Sequence, residues 1–133
     1  MADKIVQLTD KDGNNIYPIS VTAYGDYATS EVDTGFAWID GKTIYKKTIN
    51  FGALPNNTDK TVAHGITNLD RITKLEGVAY RSSNSTFIPL PYASDSVSTV
   101  DVSVVGANIR IHTFTDRTAF ADSYITLYYT KAS

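Results

Sequence analysis

The chain has 133 residues, 42% of them apolar, a formal net charge of −2 and no cysteine. That length fits one ordinary domain with a short arm, and that apolar share supports a small core. The charge gives no long-range pull toward nucleic acid or anionic membrane, and the missing cysteines exclude disulfides, thiolate metal sites and a cysteine nucleophile.

From the N-terminus, Met1-Ala2-Asp3-Lys4 lacks a basic-then-apolar signal pattern. No apolar run approaches the roughly 20 residues a membrane-spanning helix needs. Secretion is not expected, and a chain without cysteine is compatible with assembly in a reducing cytoplasm. Residues Lys4 to Leu8 and Asn15 to Val21 read as two strands joined at Asp12-Gly13-Asn14. Their apolar positions (Ile5, Val6, Leu8, Ile16, Tyr17, Ile19 and Val21) are too few for a core of their own, and an isolated two-stranded hairpin is marginal in water. The arm is therefore expected to gain order by docking, most directly by adding a strand to a sheet edge. Between Ala23 and Gly35 the pattern weakens, which places a boundary: an arm over 1–30 and a domain over 31–133.

Helical periodicity is almost absent beyond that point. Short runs of Val, Ile, Thr and Tyr recur between Gly, Asn, Asp and Pro, which describes an all-β sandwich or barrel. Phe36 to Ile39 and Thr43 to Phe51 are β-prone runs around Asp40-Gly41, the dipeptide of a two-residue hairpin loop in which Gly takes positive φ. Trp38 is expected to pack beneath that turn. Residues 52–60 form a turn-rich connection, and 81–85 a polar one. In Thr86-Phe87-Ile88-Pro89-Leu90-Pro91-Tyr92, two alternate prolines remove donors from one side, which only an edge or an extended loop tolerates. Val100, Val102 and Val104 alternate with Asp101 and Ser103, and Ile109 and Ile111 with Asn108, Arg110 and His112. A two-residue loop at Gly106-Ala107 sets Val104 against Ile109 and puts every apolar residue on one face. A three-residue loop would oppose Val104 with Arg110, so the pleat selects the shorter one, with Gly first as a type II′ turn prefers.

Trp38-Ile39-Asp40-Gly41-Lys42-Thr43-Ile44-Tyr45-Lys46-Lys47-Thr48-Ile49 resembles a segment that opens a C-terminal β domain in many bacteriophage fibre proteins, including tail fibres, baseplate receptor-binding proteins and head fibres. Thr43 stands where proline is common and Lys46 where arginine is common. Thr48 to Pro55, Lys60 to Ile66 and the closing strand Ile125 to Lys131 are similar to the continuation of such domains, so the resemblance spans residues 36–131. Ile5 to Ser20 is similar to the first residues of several such chains. The resemblance implies a virion protein and makes Trp38, Asp40, Gly41 and Tyr45 its structural motif. It implies homotrimers, and an arm that attaches through Ile5, Leu8, Ile16, Tyr17 and Ile19 to other virion proteins of capsid or tail.

Candidate chemistry is thin. His64 and His112 lie far apart without a second ligand-type residue at metal spacing, so a turn role and a polar strand face describe them. A His-x-His iron site, carried by some phage fibres, is missing. Asp95, Asp101, Asp116 and Asp122 would be glycosidase candidates, but turns and solvated faces explain them, and no Gly-x-Ser-x-Gly elbow or phosphate-cradling glycine loop is present. No catalytic residue, metal or cofactor is expected. Among nine tyrosines, Tyr24, Tyr27, Tyr92, Tyr124 and Tyr128 fall outside a simple core pattern. Tyr92, Tyr124 and Tyr128 are candidates for subunit contact or, second, for stacking on glycan. Tyr128 and Tyr129 must point to opposite faces of one strand.

The fold expected is thus an antiparallel β-sandwich, jelly-roll-like, with an N-terminal hairpin-like arm. The first functional expectation is a non-enzymatic, homotrimeric fibre or decoration subunit of a virion, a head fibre before a tail fibre. The alternative is a tail or baseplate protein gripping host surface carbohydrate. A cell-encoded lectin or carbohydrate-binding module is a third reading, against which the fibre-like segments argue.

Overall fold

The structure, a computed structural model, describes residues 25–132 together with the backbone of two strands within the first 21 residues. Those two strands, β1 (Lys4–Thr9) and β2 (Asn15–Val21), form a two-stranded antiparallel sheet running from Lys4 opposite Val21 to Thr9 opposite Asn15. The expected turn at Asp12-Gly13-Asn14 and the side chains of the arm lie outside the described residues, as does Tyr24.

Eight further strands follow: β3 (Val32–Ala37), β4 (Thr43–Asn50), β5 (Asp59–Ala63), β6 (Leu69–Arg81), β7 (Thr86–Leu90), β8 (Val100–Val105), β9 (Asn108–Thr113) and β10 (Asp122–Lys131). They make an antiparallel sandwich of one five-stranded sheet, in the order β3-β4-β10-β6-β7, and one three-stranded sheet, in the order β5-β9-β8. A jelly roll nests its strand pairs from the outside inward. Here β4 pairs with β10 and β5 with β9, but the third nested pair is replaced by the β6–β7 hairpin. That substitution makes the sheets unequal in width.

Period-2 patterning builds the core. Ile125, Leu127 and Tyr129 of β10 point inward and are fully buried, against Ile109 and Ile111 of β9 and Val100 of β8. Each such aliphatic side chain contributes about 1.5–3 kcal/mol when taken out of water. Tyr129 is 0% exposed, and its hydroxyl stays satisfied there by donating to Glu31 at 2.7 Å; Glu31 also pairs with Lys131 at 3.1 Å. Burial and then the Glu31 carboxylate push the Tyr129 phenol well above its ordinary range.

The β8–β9 hairpin has the expected register, with Val104 opposite Ile109 and Val102 opposite Ile111. Gly106 has φ +59° and Ala107 is not among the positive-φ residues, as a type II′ turn requires. β7, with Pro89, lies at a sheet edge.

The Asp40-Gly41 hairpin differs from the two-residue loop expected. Gly41 N–H donates to the Trp38 carbonyl at 2.9 Å and Trp38 N–H to the Lys42 carbonyl at 2.8 Å, enclosing three loop residues, Ile39, Asp40 and Gly41. Gly41 alone of the three has positive φ, +87°. This is a type I turn followed by a left-handed glycine, the usual three-residue hairpin loop. Asp40 accepts from Lys42 N–H at 3.0 Å and closes it. The strand before it begins at Val32, earlier than expected, and is kinked: four steps of β3 from Asp33 to Ala37 oppose two of β4. Gly35, at φ +77°, takes the bend that this bulge needs.

Candidate functional site

The outward face of the five-stranded sheet holds most of the exposed aromatic surface. β4, β10 and β6 place Lys46, Tyr128 and Lys74 in one cross-strand row, Thr48, Thr126 and Glu76 in the next, and Asn50, Tyr124 and Val78 in a third. Residues before β3 run alongside β4, where the Ala28 carbonyl accepts from Thr48 N–H at 2.9 Å. The Tyr27 ring then covers the Lys46 ammonium at 4.2 Å, a cation–π contact over a lysine only 5% exposed.

At the centre, the Tyr27 and Tyr128 hydroxyls lie 3.1 Å apart, and both reach Glu76 Oε1, at 3.4 and 3.2 Å. Burial first, then the bond to Tyr27 and the Glu76 charge, push the Tyr128 phenol well above its ordinary range. Tyr128 thus keeps its proton and donates it. Beside this cluster, the β3–β4 hairpin overhangs a cavity of about 400 Å³ walled by Phe36, Trp38 and Ile44 and floored by Lys46, Lys74 and Tyr128. Phe36 is 73% exposed. At the opposite end of the face, Tyr80 and Phe87 stack at 4.5 Å next to Val78 and Tyr124, and Phe87 is 66% exposed.

The residues singled out from sequence fall as follows. Trp38 is half-buried in the cavity wall, and Asp40 and Gly41 form the hairpin loop above it. Tyr45 points the other way, into the sandwich, where its ring stacks on Tyr129 at 6.1 Å. Tyr124 and Tyr128 share the outward face. Tyr92 does not join them: it packs half-buried against the core, exchanges backbone hydrogen bonds with Val100 and lies beneath the Arg117 guanidinium at 5.7 Å. Its packing, backbone pairing and cation contact place it in the structure of the sandwich, apart from the outward face. Ile5, Leu8, Ile16, Tyr17 and Ile19 lie within β1 and β2. Phe36, Lys74, Tyr80 and Phe87 belong to the face but were not singled out, because only strand order brings them together.

His64 is buried at the end of β5. Its Nδ1 accepts from Ile66 N–H at 3.1 Å, so Nε2 carries the proton and donates to the Gly106 carbonyl at 2.9 Å. His112 meets Asp59 directly across β5–β9, and Arg110 reaches the same carboxylate oxygen at 2.9 Å. The Arg110 and then the His112 bond hold Asp59 below the usual carboxylate range. Asp95 and Asp116 cap turns, bonded to Val97 and Ser98 and to Thr118, which lowers both. Asp101 and Asp122 are exposed on their strands. Among the described residues, no group of three or more His, Cys, Asp or Glu could hold a metal ion.

Comparison with protein-family models, curated proteins and solved structures finds no match for this chain.

Proposed function

We propose that the chain is a non-enzymatic structural protein of a bacteriophage particle, a short homotrimeric fibre or decoration subunit that carries its β domain outward from the virion, on the head before the tail. The observation that carries this reading is the outward sheet face. Phe36, Tyr27, Val78, Tyr124 and Phe87 are large apolar or aromatic side chains exposed on one side of one sheet. Soluble monomers rarely leave such surface open, and aromatic residues are enriched where subunits meet. The segment resembling phage fibre domains forms the β3–β4 hairpin bordering this face, and the similar closing strand, β10, lies at the centre of the same sheet. The β1–β2 arm, with Ile5, Leu8, Ile16, Tyr17 and Ile19, then supplies attachment to other virion proteins.

A second reading, a tail or baseplate protein recognising host surface carbohydrate, is favoured by the cavity under the hairpin. Trp38 and Phe36 line it with aromatic surface that suits a sugar ring, beside Lys46, Lys74 and Tyr128. On a subunit present in many copies, weak adhesion at that cavity would be amplified by avidity. Immunogold labelling of intact particles tests the location. Label on the head supports the first reading, label at the tail tip the second, and unlabelled particles contradict both.

A further inference from the structure

We infer that the open edge of β8 accepts strand β1 from a second copy of this chain; the inference rests on the reading of the protein as a self-associating subunit. Exposed sheet edges are usually protected. Among the described residues, three of the four edges of the sandwich are. β7 carries Pro89, which has no backbone donor. β3 is bulged, and its Gly35 and Phe36 N–H groups are taken by the Asp33 and Thr34 side chains, at 2.8 and 3.2 Å. β5 turns Lys60 inward, where its ammonium binds the Phe51 and Ala53 carbonyls at 3.0 and 2.7 Å.

β8 has none of these devices. Val100 exchanges both backbone hydrogen bonds with Tyr92, on the side away from β9. By the two-residue period, the N–H and C=O of Val102 and Val104 face that same side. Among the described residues nothing is paired with them there. Next to this edge, at the β8–β9 hairpin end, lies a cleft of about 520 Å³ lined by Ile66, Leu69, Ile72 and Val104 together with His64 and Asp70. A strand added to β8 fills both gaps.

The chain holds a strand that needs such a partner. Among the described residues β1 and β2 pair with each other and with no other strand, and two strands alone are marginal. β2 carries Pro18 opposite Gln7, whereas β1 is free of proline and keeps its full set of donors. In the single chain the hairpin is a separate sheet from β8, so the acceptor is a neighbour's edge. Passing β1 from copy to copy is a head-to-tail contact, which closes into a trimeric ring where each copy is turned by a third of a circle from the last. It assigns Ile5 and Leu8 of β1 to the neighbouring copy and leaves Ile16, Tyr17 and Ile19 of β2 for attachment to the particle.

The natural chain has no cysteine, which makes the test clean. Full-length Gln7→Cys and Ser103→Cys chains, with tags of different size, are co-expressed and oxidised. Amide exchange at Val102 and Val104 is measured in the natural protein, and its mass by light scattering. The inference expects a disulfide between the two different chains and exchange slowed roughly tenfold or more relative to an open edge. Val104→Pro, which removes an outward donor but no bond to β9, should abolish that disulfide. If that variant does not fold, exchange in the natural chain decides. A trimer with fast exchange and no inter-chain disulfide would overturn strand exchange alone, and a monomer would overturn the self-association reading as well. A chain carrying both substitutions is oxidised in parallel, and a disulfide within it but none between the two single variants would assign the edge to that chain's own arm and overturn the second copy.

Discussion

A methyl group added at Gly77 would meet Ile125 Cδ1 at 2.5 Å and the Tyr124 carbonyl oxygen at 2.7 Å. The second neighbour is backbone of the central strand and cannot swing aside. Gly77→Ala should therefore cost about 1–3 kcal/mol, read as a lower denaturation midpoint. Gly41 presents the opposite case: the space around it is empty, but its φ of +87° penalises any side chain. Gly41→Val should destabilise by about 1–3 kcal/mol through backbone strain alone, and an unchanged melting temperature would refute the turn assignment. Sequence shows such residues unevenly. Asp40-Gly41 announces a turn but fits both a two- and a three-residue loop, and Asp40 in an ordinary backbone region decides for three. Gly77 gives no local signal, because its crowding comes from strands adjacent only in space. Tyr128 and Tyr129 were bound to face opposite ways; which one goes inward follows from Tyr129 sharing parity with Ile125 and Leu127.

At the scale of strands, alternation was a sufficient guide where one face is buried. The β8–β9 register follows from keeping Arg110 off the apolar face, and Pro89 marks β7 as an edge. The candidate face was much less legible. Tyr27, Lys46, Glu76 and Tyr128 converge because β10 lies between β4 and β6, a long-range order that no local pattern encodes. The Asp59–Arg110–His112 cluster likewise depends on the β5–β9 register. These ties between elements set the response to pH. Tyr128 and Tyr129 have folded pKa values raised above the unfolded value of about 10, so their contribution is complete below that pH and is lost as pH rises past it. Asp59, Asp95, Asp116 and Asp70, which accepts from the Lys42 ammonium and the Thr130 hydroxyl, are lowered from 3.8, so theirs is present above that value and lost as pH falls below it. Melting temperature against pH should form a plateau between those limits, and Tyr129→Phe should reduce the alkaline loss. A decline already complete by pH 9 would contradict the assignment.

For the whole molecule, the sandwich buries its interior well and leaves one broad face aromatic, with cations held beneath and beside it. The proposed role as a subunit of a larger assembly rests on that contrast. The most direct test is the mass of the purified full-length chain by light scattering at micromolar concentration, repeated for the double variant Phe87→Ser/Tyr124→Ser. The account predicts three times the 14.5 kDa chain mass for the natural protein and a shift toward the single-chain mass for the variant, with far-UV circular dichroism unchanged. A natural protein that runs as a clean monomer would contradict it.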